Sequence, residues 1–79
     1  MLSAQETQLV MEKHFRACYR YWLTSGYSKD KREAFANAIN DVRNIKRNPL
    51  TMQGEELDIE TRDKFVRYRE QDLGIKVKF

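Results

Sequence analysis

Cysteine, histidine, proline and tryptophan occur once each in this 79-residue chain, and glycine only three times. A single thiol, Cys18, excludes an internal disulfide. With His14 the only imidazole, a four-ligand Cys/His zinc site cannot be assembled. Gly26, Gly54 and Gly74 stand far apart, so there is no Gly-rich phosphate loop, and no HExxH, GxSxG or EF-hand pattern occurs. In so short a chain these gaps leave little room for catalytic apparatus. The expectation is a non-enzyme with no catalytic residues, no metal, no cofactor and no evident small-molecule substrate. No apolar run approaches the roughly 20 residues of a membrane span. Glu6, Glu12 and Lys13 interrupt the first segment, which reads as neither signal peptide nor anchor. A lone unpaired thiol fits a reducing compartment, so the expected location is cytoplasmic.

What is present describes a soluble, folded domain: 41% of residues are hydrophobic and 34% charged. Nine aromatic side chains supply large pieces to bury. A chain of this size buries only about two-thirds of its unfolded surface. Its core is therefore thin, and well-packed helices or self-association are the expected sources of stability. The net charge of +3 is unevenly spread. Residues 1–27 balance at +1, residues 28–50 at +3 and residues 51–79 at −1, so the basic excess sits in the middle.

Periodicity predicts one all-α domain over residues 1–79, a compact three-helix unit with a short extended C-terminal tail. The helices are expected over residues 4–25, 29–47 and 58–73, and the tail over 75–79. Ser3 and Glu6 form a capping-box pattern that opens the first helix. At about 100° per residue, Val10, Met11, His14, Phe15, Ala17, Cys18, Tyr21 and Trp22 gather into one broad apolar arc. Lys13, Arg16 and Arg20 lie opposite, and Gly26 suits the left-handed helix end. The second helix has two candidate caps, Ser28 and Asp30. Phe35, Ala38, Ile39, Val42 and Ile45 form its stripe, and Asn48-Pro49 is expected to stop it. The turn between the first two helices fits antiparallel neighbours or a crossed helix-turn-helix arrangement. The third stripe is impure: Arg62 and Arg69 interrupt the heptad spacing of Ile59, Val66 and Leu73. Those arginines either lay their stems along the core edge with heads in water or pair with acids across an interface. The tail IKVKF alternates apolar and basic residues, as a short strand or extended edge would.

Four groupings invite a chemical reading. His14 and Cys18 share a helix face, the spacing of a metal pair or an imidazole-activated thiol. With no third Cys or His to complete a set, they read instead as core residues. Glu55, Glu56, Asp58, Glu60 and Asp63 lack the framework of a calcium loop and read as carboxylates favoured at a helix N-terminus. In CYRYW, Tyr21 and Trp22 project into the core arc, while Tyr19 points outward as a candidate stacking or anchoring residue. The fourth grouping lies on the second helix. Lys29, Arg32, Arg43 and Arg47 project within an arc of about 60°, around Ala36, while Asp30, Glu33 and Asp41 fall on the other side with Asn37 and Asn44. Such a ridge suits a phosphate backbone, an acidic protein face, or a solvated flank whose last cations, with Lys46, complement the helix dipole.

The twelve acidic residues, the net-acidic third segment and the impure third helix tilt the expectation toward protein contact. The chain is expected to be a small adaptor or regulatory module that binds a protein partner or a second copy of itself. The candidate contact residues are Lys29, Arg32, Arg43 and Arg47 of the ridge, Arg62, Tyr68 and Arg69 of the third helix, and Tyr19. The alternative is a nucleic-acid-binding accessory protein using the ridge. A membrane partner is not expected.

Overall fold

Three helices account for nearly all the regular structure of the computed structural model, which describes residues 1–51 and 54–74. They are α1 (Ala4–Ser25), α2 (Lys31–Arg43) and α3 (Ile59–Leu73). The all-α, three-helix expectation holds. The expected tail, residues 75–79, lies outside the described residues.

Local signals set most helix ends. At α1 the capping box is complete: the Glu6 amide donates to Ser3 Oγ and the Ser3 amide donates to the Glu6 carboxylate, both at 3.1 Å. The backbone and then the side chain of Ser3 hold the Glu6 carboxyl below its usual range. Gly26 ends α1 with φ +82°, where a Cβ would be strained. At α2, Asp30 is the cap, its carboxylate accepting from the Glu33 amide at 2.9 Å. Ser28, the other candidate, instead accepts from the Asn37 side chain at 3.1 Å.

The second helix departs from expectation at both ends. It begins at Lys31 rather than residue 29 and finishes at Arg43, before the proline is reached. Its continuation is diverted by pairing with a distant segment. The Leu57 amide donates to the Lys46 carbonyl at 3.0 Å and the Asn48 amide to the Glu55 carbonyl at 2.8 Å, forming an isolated antiparallel bridge between Arg47 and Glu56. The segment around Leu57 also reaches α1: the Leu2 amide donates to the Glu56 carbonyl at 2.8 Å, and the Asp58 amide donates to Thr7 Oγ1 at 3.0 Å. The Lys46 carbonyl and the Asn48 amide, which a longer α2 would have used, are satisfied there instead.

One core joins the three helices. Met11 and Phe15 of α1, Ala38, Ile39 and Val42 of α2, and Phe65 and Val66 of α3 are buried together with Leu2 and Leu57 from outside the helices. Each large aliphatic side chain fully removed from water contributes about 1.5–3 kcal/mol. Phe15 sits at the centre of an aromatic group, edge-on to Phe35 at 5.0 Å and to Phe65 at 5.9 Å. Ile59, expected in the α3 stripe, is exposed, whereas Val66 is buried and Leu73 packs against the core.

Helix α2 packs on the C-terminal half of α1: Phe35 meets Phe15 and Tyr19, Asp41 faces His14 and Cys18 and meets Trp22, and Asn37 reaches Ser28 beyond the end of α1. Helix α3 runs alongside α1 in the same direction, with Asp58 near Thr7, Arg69 near Glu12 and Phe65 against Phe15.

Candidate interaction surfaces

The third-helix arginines turn inward. Arg69, with its side chain only 15% exposed, makes a two-pronged contact with Glu12, its Nη2 lying 2.6 and 2.7 Å from the two carboxylate oxygens. Its Nη1 donates to Asp72 at 3.1 Å. The guanidinium carbon lies 4.7 Å from the Phe15 ring centre, 5.2 Å from Tyr68 and 5.3 Å from Phe65. Arg62, 13% exposed, donates from Nη1 to the Ile45 carbonyl at 2.8 Å and pairs with Asp63 at 2.9 Å. These residues were expected either to hold their heads in water or to pair with acids across an interface; they pair with acids of the same chain. The physical reason is that carboxylates, a carbonyl and ring faces replace water around the two guanidinium groups, although Arg69 Nε is buried without a hydrogen-bond partner. Tyr68 is exposed beside them, at a shallow cleft with Gln5, Gln8 and Lys64.

The α2 ridge does not persist as one line. Lys29 precedes the helix and Arg47 lies beyond it in the bridge with Glu56. Arg32 and Arg43 remain on the helix, but Arg43 shares a groove with Arg62, Asp63, Arg67 and Glu70 of α3. Arg32 stands near Tyr19, Lys31, Phe35 and Asp72. Basic and acidic side chains are therefore mixed across that groove, whereas a helical projection of α2 alone had separated them.

The aromatic expectations are exchanged. Tyr19, expected outside, is half-buried against Phe35 at 5.5 Å and Phe15 at 6.2 Å. Tyr21, expected in the core, is 54% exposed. The reason is that Phe35 of α2 covers the Phe15–Tyr19 side of α1 and leaves Tyr21 at its flank. Tyr21 packs edge-on to Trp22 at 5.4 Å, and Trp22 packs edge-on to Tyr27 at 6.5 Å. Tyr27 follows α1 and is 73% exposed. Trp22 is pinned, its Nε1 donating to Asp41 at 2.7 Å. Sequence reading passed over Tyr27 because a tyrosine in a Gly/Ser turn has no periodicity to betray its neighbours.

Comparison with protein-family models, curated proteins and solved structures gives no match. The surfaces of the chain itself therefore carry the functional reading.

His14 and Cys18 do meet, Nε2 to Sγ at 3.4 Å, on the side of α1 that faces Asp41. Burial, followed by the Asp41 carboxylate, pushes the Cys18 thiol up to about 11. Burial also lowers the His14 imidazole, against the opposing pull of Asp41. Both shifts disfavour a thiolate–imidazolium pair, the reverse of an activated nucleophile. Among the described residues no three His, Cys, Asp or Glu side chains gather as a metal-holding group, and no helix is long and apolar enough to cross a membrane.

Proposed function

We propose that this chain is a small non-enzymatic binding module, an adaptor or regulatory domain that acts through protein–protein contact. The observation that carries the reading is the Tyr21–Trp22–Tyr27 cluster. Two broadly exposed tyrosines flank a tryptophan whose indole is anchored to Asp41. Tyrosine and tryptophan offer large contact area at little entropic cost, and rigid aromatic anchors of this kind carry much of the binding energy at protein interfaces. The upward shift of the Cys18 thiol by burial, which disfavours a thiolate, supports the non-enzymatic part of the reading.

The expected contact residues are reweighted accordingly. Arg62, Arg69 and Tyr19 hold the fold together, while Tyr21, Trp22 and Tyr27 join Tyr68, Lys29 and Arg32 as surface candidates. The experiment compares the wild type with Tyr21→Ala/Tyr27→Ala in capture of partners from a host extract, with melting temperature as the control for folding. Loss of specific capture at unchanged melting temperature is expected. Equal capture by both proteins removes the cluster from the argument. Retardation of DNA or RNA that falls steeply with salt would favour the nucleic-acid alternative instead.

A further inference from the structure

We infer that the Tyr21–Trp22–Tyr27 surface receives an arginine- or lysine-bearing segment of a partner protein. The inference rests on the binding-module reading above and names the chemistry of its partner.

The rings set the first condition. An aromatic face attracts a cation, tryptophan most strongly, and more so where water is partly excluded. Arg69 already makes that interaction among the described residues, lying over Phe15, Phe65 and Tyr68. Among the described residues no cation lies over Tyr21, Trp22 or Tyr27, although two of the three are largely open to solvent. Arg20 and Lys29 are near these rings in sequence, yet neither is stacked on them.

Charge beside the rings sets the second condition. Glu33, Asn37 and Asp41 follow one another at four-residue steps and so form a line along α2. Two contacts lay that line against the aromatic cluster: Trp22 donates to Asp41 at 2.7 Å, and Asn37 donates to Ser28, the residue after Tyr27, at 3.1 Å. Asp30, which caps α2, lies at the same end. The Glu33 carboxylate makes no ion pair among the described residues. Aromatic faces beside carboxylates and an amide complement a guanidinium or ammonium, and they repel a phosphate backbone. The rest of the molecule works against such a ligand, because the chain carries a net charge of +3. Binding of a polycation therefore has to be local.

Trp22 is the only tryptophan, so its emission reports directly from the surface. The probe is a hexa-arginine peptide, compared with hexa-glutamate and a short oligothymidylate at matched ionic strength. A saturable change in Trp22 emission is expected with hexa-arginine alone. Tyr21→Ala/Tyr27→Ala should bind it about tenfold more weakly, since the variant removes two cation-facing rings. Glu33→Lys should also weaken it, while Tyr21→Phe/Tyr27→Phe, which keeps both rings, should bind near the wild-type level. The inference is overturned if hexa-arginine gives no saturable change, if the alanine variant binds it equally well, or if oligothymidylate binds in its place. Should hexa-arginine fail while the alanine variant still loses partner capture, the module reading stands and only the basic-partner assignment falls. Should capture survive the alanine variant, the reading beneath it falls too.

Discussion

Replacing Arg69 tests most directly how the structure is held together. Arg69→Ala strands Glu12, whose side chain is 29% exposed and which keeps an exposed partner in Arg16 at 3.1 Å. Breaking a buried ion pair costs about 3–5 kcal/mol, and the partial exposure of Glu12 lowers that to about 2–3 kcal/mol, nearer the solvent-screened regime. Lost cation–ring contacts with Phe15, Phe65 and Tyr68 add roughly 1 kcal/mol. A chain of 79 residues has a total stability of about 4–12 kcal/mol, so a loss of about 3–4 kcal/mol is a large fraction of it. With a urea slope of about 1 kcal/mol per molar, the midpoint should fall by roughly 3–4 M. The assay is urea unfolding followed by Trp22 emission and by helical circular dichroism. Arg69→Met, which keeps an apolar stem, should lose less, and the cycle with Glu12→Gln should give a coupling of about 1–3 kcal/mol. A cost for Arg69→Ala below about 1 kcal/mol, no greater than for the exposed Arg16→Ala, would refute an internal structural role.

Two further outcomes probe other parts of the fold. Thr7 is fully buried and its hydroxyl accepts from the Asp58 amide at 3.0 Å, so Thr7→Val should cost about 1–2 kcal/mol by orphaning that amide, and Thr7→Ser should retain the hydrogen bond. The test is their relative urea midpoints, and equal midpoints for Val and Ser would remove the bond from the account. Raised from about 9 unfolded to about 11 folded, the Cys18 thiol makes the native state hold its proton longer, so stability should decline as pH rises through that window. His14 acts at the other end: with its folded pKa lowered, the unfolded chain takes up a proton first, and stability should decline as pH falls below about 6.5. Denaturation across pH 5 to 11 reads both, and Cys18→Ala and His14→Gln should each flatten one limb.

Where information was local, the chain was legible. Ser3 with Glu6, Asp30 with Glu33, and the stop glycines Gly26 and Gly74 act within one turn, and each behaves as its neighbours imply. The stripe of Ala38, Ile39 and Val42 likewise faces the core because helical spacing leaves it one face to bury. Leu57 was less legible: it lies in a connection with no periodicity, yet it is buried. Thr7, a polar residue early in α1, is buried where its partner lies 51 residues away. The surroundings of the contact candidates were hidden for the same reason. A projection of α2 alone cannot show that Arg43 meets α3, nor can one of α1 show which side α2 covers.

By itself, the sequence determined three amphipathic helices, most of their caps and the exclusion of an internal disulfide, because each depends on residue identity and spacing within a few positions. Only the tertiary structure decided that α2 ends at Arg43, that Arg62 and Arg69 face inward, and that Tyr21 and Tyr27 rather than Tyr19 stand open beside Trp22. Those outcomes depend on how the helices pack and on which distant backbone or carboxylate satisfies each polar group. Such pairing is a property of the assembled core, where a charge or an amide must find its partner before water can leave.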